Sequence, residues 1–222
     1  MKNVLVIAVH PDDETLGCGG TLLKHRHQGD LIHWCIVTSQ KEELGFTQAQ
    51  IVRREQEITA VAEKYGFTGV EQLRLPTTQL DQLPLETLVK RLSEILRRIQ
   101  PHTLYLPFKG DVHSDHRVTF QAAFSCTKTF RYPFLKRVLM METLSETEFS
   151  PSIPSEAFVP NVFSDISEFC EGKIEIANIY TGEFDAHPFP RSERNLRALA
   201  TLRGATANCE WAEAFMLLKE VL

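Results

Sequence analysis

The chain has 222 residues, 43% of them hydrophobic and 24% charged, with a formal net charge of −5. That length can bury a sizeable core and suits one domain spanning 1–222 better than two. The mildly acidic balance gives no electrostatic reason to expect a nucleic-acid partner, and five widely spaced cysteines without a CxxC pair argue against a disulfide scaffold or a cysteine-only zinc site.

The first element is the β-rich run Val4-Leu5-Val6-Ile7-Ala8-Val9, which reads as a strand buried on both faces. The loop His10-Pro11-Asp12-Asp13-Glu14 follows, then a helix from Thr15 to Gln28 with Gly17, Gly19 and Gly20 near its start. Leu31 to Val37 reads as a second strand. Strand, loop, helix and strand in that order make a βαβ unit. The fold class it predicts is α/β: a Rossmann-like three-layer αβα sandwich with a mostly parallel sheet.

Thr47 to Lys64 reads as a helix with an apolar stripe of Ile51, Ile58, Val61 and Ala62, closed by Gly66. Gln72 to Leu75 is a short strand, and Leu85 to Ile99 an amphipathic helix stopped by Pro101. Thr103 to Pro107 is a strand, Val118 to Lys128 a helix and Val138 to Glu142 a strand. Ser150 to Val162 is Pro- and Ser-rich and reads as an irregular loop. Glu168 to Tyr180 and Arg191 to Arg203 read as helices. Trp211, Phe215 and Leu218 stand at helical spacing and read as core, with Glu213 on that helix and within reach of a pocket.

Two segments carry chemistry, His10-Pro11-Asp12-Asp13-Glu14 and His113-Ser114-Asp115-His116. Each follows a predicted strand, at the edge where open parallel sheets bind ligands. His10, Asp13 and His116 offer two imidazoles and a carboxylate, a set that suits Zn2+ with coordination positions left open. Asp12 is the candidate general base for a metal-activated water. His113 is placed to stabilise an oxyanion, and Asp115 to hydrogen-bond a histidine and fix its tautomer. The plainer alternatives are a polar surface histidine, a helix N-terminal acidic cluster and a capped turn. Lys109, in the loop before the second segment, reads first as a solvated lysine and second as a phosphate contact.

These segments are similar to the two motifs of the PIG-L-like (LmbE-like) N-deacetylase family. The first spans Ala8 to Glu14 with Gly17-Cys18-Gly19-Gly20-Thr21, and the second is His113 to His116. Arg54 with Glu57, Asp165-Ile166-Ser167 with Lys173, and Arg203-Gly204 with Ala212-Glu213-Ala214-Phe215 extend the likeness along the chain. The resemblance implies a zinc-dependent amide hydrolase acting on an N-acetylated sugar. It implies His10, Asp13 and His116 as zinc ligands and Asp12 as base, later returning its proton to the amine. It also implies His113 in the transition state, Asp115 orienting it, and Arg54 binding substrate. Some relatives carry an aromatic residue where this chain has Lys109 to Val112, which puts any lid or contact role there in doubt.

Rival readings are a 2-His-1-carboxylate Fe(II) oxygenase, a nucleotide-binding Rossmann-like module and a receiver-type regulatory domain. The oxygenase has no use for Asp12 and needs a co-substrate site. The glycines do not form GxGxxG and follow an acidic loop. A receiver gives the histidine segment no role. The expected partner is a small acetamido sugar, with a soluble nucleotide sugar or small glycoside favoured over a lipid-linked one. Neither a signal peptide nor an integral membrane segment is expected, the cysteines read as free buried thiols, and the expected location is the cytoplasm. A homo-oligomer is compatible with this sequence.

Overall fold

The computed structural model describes residues 1–222. In chain order the elements are β1 (Asn3–Ala8), α1 (Asp13–His27), β2 (Leu31–Ser39), α2 (Gln48–Tyr65), β3 (Gly69–Pro76), α3 (Leu85–Ile99), β4 (Thr103–Leu106), α4 (Ser114–Ser125) and β5 (Arg137–Met141), followed by β6 (Val162–Asp165), α5 (Cys170–Ala177), α6 (Glu193–Ala207) and β7 (Ala212–Glu220). All seven strands join one sheet in the order β3-β2-β1-β4-β5-β7-β6. The first five run parallel, while β7 is antiparallel to both β5 and β6.

The apolar run of β1 divides between two cores, as the period of two requires. Leu5, Ile7 and Val9 pack with Leu88, Leu92, Leu96 and Ala122 of α3 and α4. Val4, Val6 and Ala8 pack with Leu22, Ile58, Val61 and Ile176 of α1, α2 and α5. Helices thus cover both faces, giving the three-layer α/β sandwich with a mostly parallel sheet. Each fully buried leucine in these layers contributes about 1.5–3 kcal/mol. No helix is long and apolar enough to cross a membrane. Cys18, Cys35, Cys126 and Cys170 are buried free thiols, and Cys209 is a partly exposed one.

The C-terminal segment differs from the helix its spacing suggests. Residues 212–220 form a strand, so Phe215 packs with the α1/α2 core while Leu218 packs against the α3/α4 core. In a helix they would share a face. The 3-4 spacing arose by accident from a strand buried on two sides, a pattern that periodicity alone does not resolve. The segment read as an irregular loop ends at Val162, where β6 begins and pairs with β7. Helix α4 starts four residues earlier than expected, at Ser114, so the second histidine segment caps and opens a helix instead of sitting in a loop.

Helix α1 is bent at Cys18, where φ is −151° and ψ is 21°. In an unbroken helix the Leu16 carbonyl and the Gly20 amide would be partners. Here Lys173 Nζ donates to Leu16 O at 2.9 Å, and the Gly20 and Thr21 amides donate to the Glu213 carboxylate at 2.9 and 2.7 Å. Lys173 and Glu213 pair at 2.7 Å, both buried. Glu213 therefore secures the bend and does not line the cavity described below. The bend brings Gly20 so close to Ile166 that a Cβ there would lie 2.8 Å from the Ile166 Cβ.

Candidate metal centre

Two helices begin at the carboxyl edge of the sheet, α1 after β1 and α4 after β4, and their first turns meet. Ligand-capable atoms of His10, Asp13 and His116 all lie within 4.8 Å of one another. Asp13 Oδ2 stands 3.3 Å from His116 Nε2 and 3.7 Å from His10 Nδ1. The amides of Val9 and His10 also donate to it, at 3.0 and 2.8 Å. Burial alone would raise the Asp13 carboxyl, but the His116 and His10 rings outweigh it and hold the group well below the usual carboxylate range.

Each histidine of this trio is oriented from behind. His116 Nδ1 meets Asp111 Oδ2 at 2.8 Å, and Asp111 Oδ1 accepts from Thr147 Oγ1 at 2.7 Å. This leaves His116 Nε2 for the metal side. His10 Nε2 faces Asp115 Oδ2 at 3.4 Å, which leaves Nδ1 for the metal side. His10, His113 and Asp115 form a second group with ligand geometry. Its carboxylate is already engaged, however, by the Thr78 and Leu80 amides at 2.6 and 3.1 Å. Two imidazole nitrogens and one carboxylate, each imidazole backed by a second carboxylate, fit a divalent transition ion with open positions.

Asp12 is the N-cap of α1, with φ 145° and ψ −27°. A side chain held at that positive φ is strained and persists only where its surroundings over-determine it. The Asp12 amide donates to Glu14 Oε2 at 3.2 Å, and the Thr15 and Leu16 amides donate to its carbonyl at 3.0 and 2.9 Å. Its carboxylate accepts from Arg191 Nη1 at 2.8 Å. Burial, with Asp13 adjacent, raises the Asp12 carboxyl well above its ordinary value against the pull of Arg191. Glu14 is fully buried and accepts from Thr15 Oγ1 and the Tyr180 hydroxyl, both at 2.6 Å. Burial pushes its carboxyl up to about 7.

His113 caps α4. Its Nδ1 accepts from the Asp115 amide at 3.1 Å, so a neutral ring carries its proton on Nε2. Burial and the neighbouring His10 ring push it down to about 4, making it a neutral donor at pH 7. The Asp115 carboxylate reaches His10, and the hydrogen bond between Asp115 and the His113 ring comes from the Asp115 backbone amide.

A cavity of about 240 Å3 opens beside these groups, lined by His10, Asp12, Asp13 and His113 together with Arg54, Arg191, Glu146 and Glu183. Arg54 lies on the buried face of α2, in step with Ile58 and Val61. It donates to Pro11 O at 3.0 Å, pairs with Glu57 at 3.3 Å and is hydrogen-bonded to Glu183. Glu183 also pairs with Arg191 at 3.1 Å. Burial, with Asp13 and Asp111 nearby, pushes Glu146 up to about 7, although His116 opposes the shift. Lys109 is exposed, donates to Ser155 O at 3.4 Å and lies outside the cavity.

The seven residues read as metal ligands, catalytic groups or substrate contact gather at one edge, whereas Lys109 and Glu213 do not line the cavity. Asp111, Glu146, Glu183 and Arg191 went unread. Asp111 had a weak signal, an acid five residues ahead of His116. The other three sit in turns with no recurring pattern around them.

An α/β sandwich carries at its carboxyl edge a His–Asp–His cluster of a kind that can hold a metal ion, with a buried acid adjacent. Residues 5–127 match the family model described as PIG-L, GlcNAc-PI de-N-acetylase, and the chain belongs to the PIG-L family. It is 25% identical to the diacetylchitobiose deacetylase of Thermococcus kodakarensis, over 96% of this chain and 82% of that protein. Its fold is similar to that of a conserved protein of Thermus thermophilus, with a TM-score of 0.79, 24% identity, and coverage of 100% of this chain and 97% of that one. It is also similar to the 4-carboxy-2-hydroxymuconate hydratase of Pseudomonas putida, with a TM-score of 0.76, 20% identity, and coverage of 100% and 98%. A shared fold that includes a hydratase leaves the reaction to be argued from the site.

Proposed function

We propose that this chain is a zinc-dependent hydrolase that removes the acetyl group from the amide nitrogen of an N-acetylated sugar, of the N-acetylglucosamine-conjugate class. The observation that carries this reading is the pairing of a three-ligand cluster with an acid that is not a ligand. His10, Asp13 and His116 converge, while Asp12 lines the cavity beside them. Support also comes from the family and from the deacetylase named among its relatives.

His10, Asp13 and His116 would hold the zinc ion. When bound, it would lower the pKa of a coordinated water to about 7 and polarise the acetyl carbonyl. Asp12 takes the proton of the water as its oxygen bonds to the carbonyl carbon. Its raised proton affinity suits that task, and Arg191 fixes the oxygen that faces it. His113 Nε2–H donates to the developing oxyanion. When the C–N bond breaks, Asp12 returns the proton to the nitrogen, giving acetate and the free amine. Asp115 and Asp111 position His10 and His116, and Arg54 holds the Pro11 carbonyl and one wall of the cavity. Buried free thiols accord with work in a reducing cytoplasm.

An Fe(II) oxygenase could use the same three ligands but would leave Asp12 without a task. The test is acetate release from a panel of free and conjugated acetamido sugars, under argon, before and after chelation and after zinc is restored. Chelator-sensitive release without oxygen is expected. Zinc-loaded protein that releases acetate from none of the panel would end the proposal.

A further inference from the structure

Glu146 is the one carboxylate of the cavity wall that pairs with nothing in the protein. Its backbone is fixed on both sides: its amide donates to Thr143 O at 3.2 Å, and its carbonyl accepts from the Val112 amide at 3.2 Å. Its side chain lines the cavity, and its Oε2 is buried without a hydrogen-bond partner. Gln40 Oε1, which lines the cavity from the end of β2, is a second buried acceptor without a donor. Buried acceptors without donors are costly, so they mark where a ligand brings O–H or N–H groups.

The cationic side chains of the wall are already paired with carboxylates, and Arg191 Nε alone among their atoms is a buried donor without an acceptor. Arg54 already faces Glu183 and Glu57, and Arg191 already faces Asp12 and Glu183. A phosphate or carboxylate entering the cavity would bring only acceptors: one could meet Arg191 Nε, and the rest would face Glu146 and compete with these carboxylates for the arginines. A sugar hydroxyl brings a donor, and it can pair with Glu146 in either protonation state. At about 240 Å3 the cavity lies below the roughly 300–1,000 Å3 range of pockets for drug-sized ligands, which fits a single ring.

We infer that Glu146, supported by Gln40, is a specificity-determining residue that selects a neutral, hydroxyl-bearing acetamido sugar and disfavours one carrying an anionic group on the ring within the cavity. This rests on the deacetylase reading above. It narrows the sequence expectation from nucleotide-linked sugars toward small neutral glycosides.

The test uses zinc-loaded protein with N-acetylglucosamine and N-acetylglucosamine 6-phosphate as paired substrates. Wild type is expected to favour the neutral sugar by about tenfold or more in kcat/KM. Glu146→Ala should raise KM for the neutral sugar by about tenfold, with kcat within about twofold. Glu146→Gln, which keeps an acceptor and loses the charge, should keep most of that affinity while the preference shrinks. Calorimetric binding of the product amines, glucosamine and glucosamine 6-phosphate, should follow the same order without any turnover. Equal or better use of the phosphate by wild type overturns the assignment. So does a neutral-to-phosphate ratio that neither variant changes, even when the neutral sugar reacts. If neither sugar nor any other acetamido sugar yields acetate, the deacetylase reading itself falls and takes the selectivity with it.

Discussion

Arg191 Nη1 donates to Asp12 Oδ2 at 2.8 Å, joining two residues 179 positions apart in the chain. The same guanidinium pairs with Glu183 at 3.1 Å, so the connection between α5 and α6 holds the proposed base in place. Arg191 is partly exposed, and its loss should leave the fold intact. Arg191→Ala is expected to lower kcat about tenfold or more, with bound zinc unchanged. Asp12→Asn should keep zinc and lose roughly 10²–10⁴-fold in kcat. Turnover and metal content of the two variants check both roles, and an Asp12→Asn protein as active as wild type would remove the base from the proposal.

His116→Ala should lose the metal outright, because it deletes one of three ligands. Asp111→Asn should weaken zinc affinity by about 10–100-fold, since Asp111 fixes the His116 ring at 2.8 Å. Competition with a zinc indicator dye measures both. Full zinc occupancy in His116→Ala would show that the ion sits elsewhere.

Glu14 predicts a dependence of stability on pH. Its folded-state carboxyl is raised from 4.5 to about 7 by burial. A raised acid favours the folded state fully below its unfolded value, and the advantage is lost as pH rises toward the folded value. Wild type should therefore lose stability relative to Glu14→Gln between about pH 4.5 and pH 7, and the difference should level off above that. At 1.36 kcal/mol per unit the change is on the order of 3 kcal/mol. Urea unfolding of both proteins at a series of pH values tests it, and terms from metal binding common to the two cancel. Parallel curves across that window would mean Glu14 is not raised.

Glu213 and Lys173 predict a stability effect with no direct catalytic part. Glu213→Ala leaves a buried ammonium without its carboxylate and two helix amides without acceptors. A loss of about 3–5 kcal/mol is expected. A change under about 1 kcal/mol in the urea midpoint analysis would show that the bend needs no such support.

Much of this was legible in the residues. Strand β1 is a continuous apolar run, and α3 carries its leucines on one face, so local pattern and tertiary burial agree. The metal trio was legible because two ligand-rich segments each followed a strand, and parallel topology sends such segments to one edge. Arg54 and Glu57 stood out only through the family resemblance, and the structure sets them in the register of Ile58 and Val61. What escaped depends on contacts between distant segments. Strand β7 pairs with β5 and β6 along its edges and packs side chains into the cores on both of its faces, so its sequence lacks clean alternation. Arg191 and Glu146 reach the cavity from turns, where side-chain direction follows from the fold and not from any local period.

The bend in α1 also ties that helix to Glu213, 193 residues after Gly20. Every residue proposed to hold or assist the ion precedes Arg191, yet the carboxylate that secures the bend beneath them belongs to the final strand. A chain lacking residues 212–220 would carry all three proposed ligands and lack the carboxylate that secures α1, whose first residue is Asp13. Loss of β7 should therefore weaken metal binding as well as the sheet, although Glu213 lies outside the cavity.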